Sequence, residues 1–210
     1  MSSVATRPQR PALGARYDRR RQEVVDGAAR EFAARGYDQT SVQQLADALG
    51  IAAGGIYHYF TGKEQLLIAI CDELTDPVLE AARTLLDEDD DAAPEAQLRR
   101  LVRLWVAQVI ARRHHALVFQ QERHLIELGP QWKGVRDSRK AFERLVEDAL
   151  GRCALAVDDR RLALSALLGM VNHTAQWHRP RGRLDADQIA DGYVDLMLAR
   201  PAPASPAPPP

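Results

Sequence analysis

The residues whose types and spacing suggest chemistry lie in one stretch, 40–63, TSVQQLADALGIAAGGIYHYFTGK. It carries hydroxyls (Thr40, Ser41), an amide (Gln43), a Tyr57-His58-Tyr59 run and a lysine (Lys63), all of them hydrogen-bond donors. Catalytic arrangements are not apparent. The histidines (His114-His115, His124, His173) show no His-x3-His or His-Glu-x-x-His spacing. Serine-histidine-aspartate, phosphate-loop and paired-carboxylate patterns are also absent from the reading, so no enzyme activity, metal or cofactor is expected.

Positioning those donors requires short helices at fixed angles. Val24, Val25, Ala28, Ala29, Phe32 and Ala33 recur at helical spacing, predicting a helix over 17–35 closed by Gly36. Thr40-x-x-Gln43 has the form of a capping box and predicts a second helix over 41–48. Gly50 then makes a turn, a third helix fits 52–59, and Thr61-x-x-Glu64 opens a fourth. Leu45, Ala46, Leu49, Ile51 and Ile56 are the expected inner residues of a helix-turn-helix, with Ala46 small where the helices pack closely. Its second helix would enter a major groove about 12 Å wide.

The block 31–67, EFAARGYDQTSVQQLADALGIAAGGIYHYFTGKEQLL, resembles the N-terminal signature of the TetR/AcrR family of one-component regulators. The cues FAxxGY, TSV, LAxxLGI, G-x-I-Y-H-Y-F and K-E-x-L-L occur together and in order. The resemblance implies that Thr40, Ser41, Tyr57 and Lys63 contact phosphates, that Gln43 reaches a base edge, and that His58 and Tyr59 lie in or beside the groove. One departure stands out. Ala52-Ala53-Gly54-Gly55 replaces the polar or basic residues usual there, leaving backbone N–H groups, Gly54 and Gly55 among them, to make those contacts.

The rest of the chain reads as helical. Pro77 is expected to kink or interrupt the fourth helix, the run Asp87–Asp91 to be a solvated loop, and further helices to span 95–111, 114–127, 131–154, 159–177 and 186–199. No strand pattern is visible. The expectation is an all-α fold of about nine helices: a disordered basic arm (1–14), a three-helix DNA-binding domain (15–66), an antiparallel ligand-binding and dimerisation domain (67–199) and a Pro-rich disordered tail (200–210). Segment 159–177 is apolar around most of its circumference, so it and 186–199 are expected to pair with their copies in a homodimer.

Segment 169–198 is similar to the closing helices of the acyl-CoA-responsive branch of that family, through Trp177-His178-Arg179-Pro180, Gly182 and Leu184. The resemblance implies a thioester effector. Leu104, Trp105, Val109, Val118 and Phe119 would line its apolar tunnel with Trp177 at one end, and Arg136, Arg179 and Arg181 would meet its phosphates. Each of these has an ordinary alternative: core packing for the apolar residues, a helix cap for Arg179.

Bulk charge is uninformative at −1. Residues 1–66 hold nine Lys/Arg against seven Asp/Glu, with Arg7, Arg10, Arg16, Arg19, Arg20 and Arg21 clustered early; such an arm could track phosphates or merely be solvated. Cys71 and Cys153 form no CxxC, and no stretch has the length of a membrane span, so a reducing cytoplasm is expected. The functional expectation is a DNA-binding regulator, a repressor released from a palindromic operator by a small effector. A multidrug-responsive repressor of an efflux gene and a helical carrier or enzyme without DNA function are the alternatives.

Overall fold

The computed structural model describes residues 11–88 and 92–199, and side chains from residue 13 onward. Ten α-helices follow in order: α1 (Pro11–Arg35), α2 (Val42–Ala48), α3 (Ala53–Tyr57), α4 (Lys63–Glu88), α5 (Pro94–Ala111), α6 (Arg113–Gln121), α7 (Arg123–Ile126), α8 (Lys133–Gly151), α9 (Arg160–Trp177) and α10 (Ala186–Met197). A 3-10 turn, Pro130–Trp132, precedes α8. The all-α expectation holds. The tenth helix arises because 114–127 is broken at Glu122, whose buried carboxylate accepts a hydrogen bond from the Tyr37 N–H (3.4 Å). Residues 11–14, expected to be disordered, belong to α1. Asp87 and Glu88 end α4 instead of forming a loop. Residues 1–10, 89–91 and 200–210 lie outside the described residues, and with them most of the basic arm, the rest of the acidic run and the tail.

Two cores divide the described residues. One gathers α1, α2, α3 and the first half of α4 around Phe32, Leu45, Ile56, Phe60, Leu66, Leu67 and Ile70. It is completed by Val118, Ile126, Trp132 and Val135 from later in the chain. The other packs the second half of α4 with α5, α8, α9 and α10 around Leu98, Leu101, Val106, Val146, Leu167, Val171 and Val194. An isolated antiparallel bridge, Leu155 to Leu198, ties the α8–α9 loop to the end of α10. No described helix is long and apolar enough to cross a membrane.

Helix α4 runs through Pro77, so of the kink or interruption expected there the interruption does not occur. A proline at this position leaves the carbonyl four residues back, that of Glu73, without its helical donor. Gln108 of α5 supplies the substitute: its amide nitrogen lies 3.2 Å from the Glu73 carbonyl and 3.3 Å from that of Leu74.

Candidate functional site

Gly36, with φ of 87°, ends α1 and returns its N–H to the Phe32 carbonyl (2.8 Å). The N-cap of α2 is then Ser41, one residue later than the expected Thr40. Ser41 Oγ accepts from the Gln44 N–H (3.2 Å), and the Gln44 side chain accepts from the Ser41 N–H (2.8 Å). Thr40 instead is buried, and its hydroxyl donates to the Gly36 carbonyl (2.7 Å). The hydroxyl expected to contact phosphate is bonded within the fold in this structure. The box at Thr61 also shifts, since Gln65, not Glu64, accepts from the Thr61 N–H (2.7 Å) and hydroxyl (2.8 Å).

Gly50, with φ of 64°, makes the turn that L side chains resist. The Ile51 N–H reaches back to the Ala46 carbonyl (3.0 Å), and Leu45, Ala46 and Ile56 are fully buried between the two helices. A further close approach lies at Gly27 of α1, where an added Cβ would lie 2.0 Å from Leu49 Cδ2. Sequence periodicity could have marked Gly27 as an inner position, but not as a contact point.

The remaining candidate donors lie on α2, α3 and the start of α4. Ser41, Gln43, Gly54 and His58 are exposed; Gly55, Tyr57, Tyr59 and Lys63 are half-buried. The space around Gly54 is open, whereas Gly55 faces Ile51. The Gln43 amide donates to Asp47 (2.9 Å). Tyr59 packs on Tyr17 of α1, ring centroids 4.9 Å apart, with His58 edge-on to it. Lys63 donates to the Tyr37 carbonyl (2.8 Å) and sits 4.1 Å above its ring, which fixes the ammonium at the first turn of α4.

Between the two cores lies a polar junction. Arg112 pairs with Asp26 of α1 (2.8 Å) and approaches Glu73 of α4 (3.7 Å). His115 of α6, buried, has Nε2 3.5 Å from Asp26 and 3.4 Å from Glu73. Burial pushes the Glu73 carboxyl up, but the neighbouring His115 ring, the Gln22 amide and the Arg112 guanidinium outweigh it and leave its pKa below the usual value. Histidine spacing missed this cluster because its members come from three helices. Asp26, Glu73 and His115 approach metal-ligand distances, yet the Arg112 guanidinium already supplies the positive charge there.

A cavity of about 70 Å³ opens between α4, α5, α8 and α9. Its apolar wall includes Leu74, Val78, Trp105, Val109, Phe142 and Leu168, with the Trp105 and Phe142 rings edge to face at 5.1 Å. Polar groups reach it from Thr75, Gln108, Arg123, Arg139, Glu143 and Asn172. Of the residues expected to line a tunnel, Trp105, Val109 and Phe119 lie on the wall of this cavity.

The others lie away from this cavity. Leu104, one residue before Trp105, is turned about 100° around α5 and packs against the core instead. Val118 is buried in the N-terminal core. Arg136 donates to the carbonyls of Ile126 and Gly129, both at 2.9 Å, bracing the turn before α8. Trp177 is 43% exposed, and Arg179 and Arg181 are exposed on the α9–α10 turn; none of the three touches the cavity. In that turn the Gly182 N–H bonds the Arg179 carbonyl (2.8 Å), and a Cβ on Gly182 would meet the same oxygen at 2.9 Å. The Arg-Pro-x-Gly pattern therefore has a local structural cause.

Comparison with known proteins fits this layout. Residues 24–70 match the model for bacterial regulatory proteins of the tetR family, and residues 91–200 match the tetracyclin repressor-like C-terminal domain. The HTH-type transcriptional repressor KstR2 of Mycobacterium tuberculosis is 28% identical over 190 residues, covering 85% of this chain and 91% of that protein. The structure of the ketosteroid transcriptional regulator KstR2 of the same organism shares the fold, with a TM-score of 0.77 over 94% of this chain and 100% of that one, at 23% identity. The structure of AibR in complex with isovaleryl coenzyme A and operator DNA has a TM-score of 0.70 at 28% identity, covering 85% of this chain and 98% of that one. With its helix-turn-helix at the N-terminus and a ligand-binding helical domain behind it, the chain belongs to the tetR family of bacterial transcriptional regulators.

Proposed function

We propose that this regulator is a dimeric repressor whose operator complex is released by an acyl-coenzyme A thioester. The observation that carries the reading is the course of α4. Its first residue, Lys63, stands at the helix-turn-helix; Leu66, Leu67 and Ile70 belong to the N-terminal core; Leu74, Thr75 and Val78 line the cavity. One rigid element thus joins the two.

At about 70 Å³ the cavity is far smaller than the 300 Å³ or more typical of ligand pockets. An effector must widen it, and the wall contributed by α4 must move. Motion of α4 against α1 strains the Asp26–Arg112–Glu73 junction and changes the placement of α3. In a dimer, the two copies of α3 must sit roughly 34–36 Å apart to enter successive major grooves. An effector that prefers the widened state shifts the population away from that spacing.

Ser41, Gln43, Tyr57, His58, Tyr59 and Lys63, with the backbone of Gly54 and Gly55, form the proposed DNA-reading surface. Phosphate contacts come from Ser41, Tyr57 and Lys63. The proposed dimer face is the outer side of α9 and α10. Leu162, Trp177 and Leu196 are 58%, 43% and 65% exposed there, and exposed Ala166, Gly169 and Gly192 leave room for a second helix to approach. The apolar wall suits an acyl chain, Arg123 offers a cation, and the AibR complex with isovaleryl coenzyme A supports the thioester class.

The test is titration of the purified protein on its own upstream DNA at two salt concentrations, with and without a panel of acyl-coenzyme A thioesters. Specific, salt-sensitive binding released by a thioester is expected. Specific binding that no thioester disturbs would sink the effector assignment.

A further inference from the structure

One cavity-lining residue carries a polar atom whose needs this structure does not meet. Arg139 of α8 lines the cavity, and its guanidinium is held by two carboxylates, Glu143 at 3.1 Å and Glu127 at 2.8 Å. Both bonds use the terminal nitrogens. Its Nε–H is buried and has no partner. A buried donor without an acceptor disfavours the state that contains it.

The surrounding charge says what kind of acceptor would be accepted. Glu143 and Glu127 both pair with Arg139, and Glu143 itself lines the cavity. A carboxylate approaching Arg139 would be the third on a guanidinium that already holds two, which is costly in a partly apolar enclosure. A neutral carbonyl brings the acceptor without the charge. Apolar residues on the opposite wall, Leu74, Val78, Trp105 and Leu168, then cover the hydrocarbon on either side of it.

We infer that Arg139 is the effector's polar anchor, its Nε–H donating to a neutral carbonyl, that of a thioester or a ketone, on an otherwise apolar ligand. The inference rests on the effector reading above for the site, and it adds the functional group that the site recognises. It also supplies the required preference between states. The donor is unmet when the cavity is closed and is satisfied only when a widened cavity admits a carbonyl, so the ligand gains its bond in the widened state alone.

The test compares matched ligands by calorimetry on the full-length protein. Isovaleryl coenzyme A is set against S-(3-methylbutyl) coenzyme A, the thioether in which a methylene replaces the carbonyl. In parallel, 2-nonanone is set against nonanoate. The carbonyl compound of each pair is expected to bind about ten- to hundred-fold more tightly. In Arg139→Lys, which keeps the charge opposite both glutamates but lacks the Nε–H, that preference should collapse.

Thioester and thioether binding equally well to the wild-type protein would overturn the anchor while leaving the coenzyme A reading intact. The ketone binding selectively while neither coenzyme A compound binds would do the reverse. Nonanoate matching the ketone, or no carbonyl compound binding at all, would overturn the anchor. Because these arms use the wild-type protein, the inference stays open to refutation even if Arg139→Lys folds poorly.

Discussion

Around the helix-turn-helix, the side chains that brace α2 and open α4 bond to neighbours three or four residues away: Ser41 with Gln44, Gln43 with Asp47, Thr40 with Gly36, Thr61 with Gln65. In the C-terminal half several polar groups reach across the chain. Gln108 caps α4, Arg103 pairs with Asp191 (2.6 Å), Arg113 donates to the Ala175 carbonyl (2.7 Å), and the Thr174 and Tyr193 hydroxyls meet at 2.9 Å. The first half is built to hold a fixed surface outward. The second ties its helices to one another through bonds between distant residues, so a displacement of one helix would be felt by several of them.

The comparison can be broken most severely at the N-terminal core. Ile56 is fully buried, and Ile56→Ala is expected to cost about 2–5 kcal/mol, read as a lowered thermal midpoint and loss of operator binding. An unchanged midpoint would mean that α3 is not held by this core.

Next in size is the long-range cap on α4. Gln108→Leu should cost about 1–3 kcal/mol in urea unfolding, because it leaves the Glu73 carbonyl without its donor. Pro77→Ala restores the helical N–H and should recover most of that loss in the double variant. Additive effects would refute the pairing of Pro77 with Gln108.

Lys63→Ala sharpens the outward-facing side. Removal of one phosphate contact is expected to weaken operator binding about tenfold and lower the salt slope by about one. A slope unchanged from wild type would confine Lys63 to its contact with Tyr37.

The smallest effect concerns pH. Burial, then the neighbouring Asp76, raises the Asp72 carboxyl to about 6. A raised carboxylate pKa means that the charged form is disfavoured in the folded protein. The stability enjoyed by the protonated form is therefore lost as pH rises through about 6. Asp72→Asn should stabilise the protein at pH 8 by an amount of order 1 kcal/mol, once solvent screening is allowed for. It should have no effect at pH 4. Equal gains at both pH values would assign the change to something other than charge.

Much of the fold was legible because its signals are short-range. Gly36, Gly50 and the spacing of Val24, Val25, Ala28, Ala29 and Phe32 dictate local backbone and burial wherever the rest of the chain lies. Small errors, such as Thr40 taken for Ser41 as cap, arose where two adjacent hydroxyls offered the same pattern and only packing chose between them. The cavity was half legible. Trp105, Val109 and Phe119 were read as lining it, but Thr75, Arg123, Arg139, Glu143 and Asn172 were not. Nothing in the immediate sequence of Arg139 distinguishes it from Arg136, three residues earlier, which braces a turn.

By itself, the sequence determined the helical periodicity, the helix-turn-helix and the glycine turns, because each depends on contacts within a few residues. The tertiary structure alone decided that Gly27 receives Leu49, that Gln108 completes α4 opposite Pro77, and that Arg139 lines a cavity with one donor unmet. Those outcomes depend on which helix faces lie against one another. That is fixed by the summed packing of distant residues, for which no local spacing rule exists.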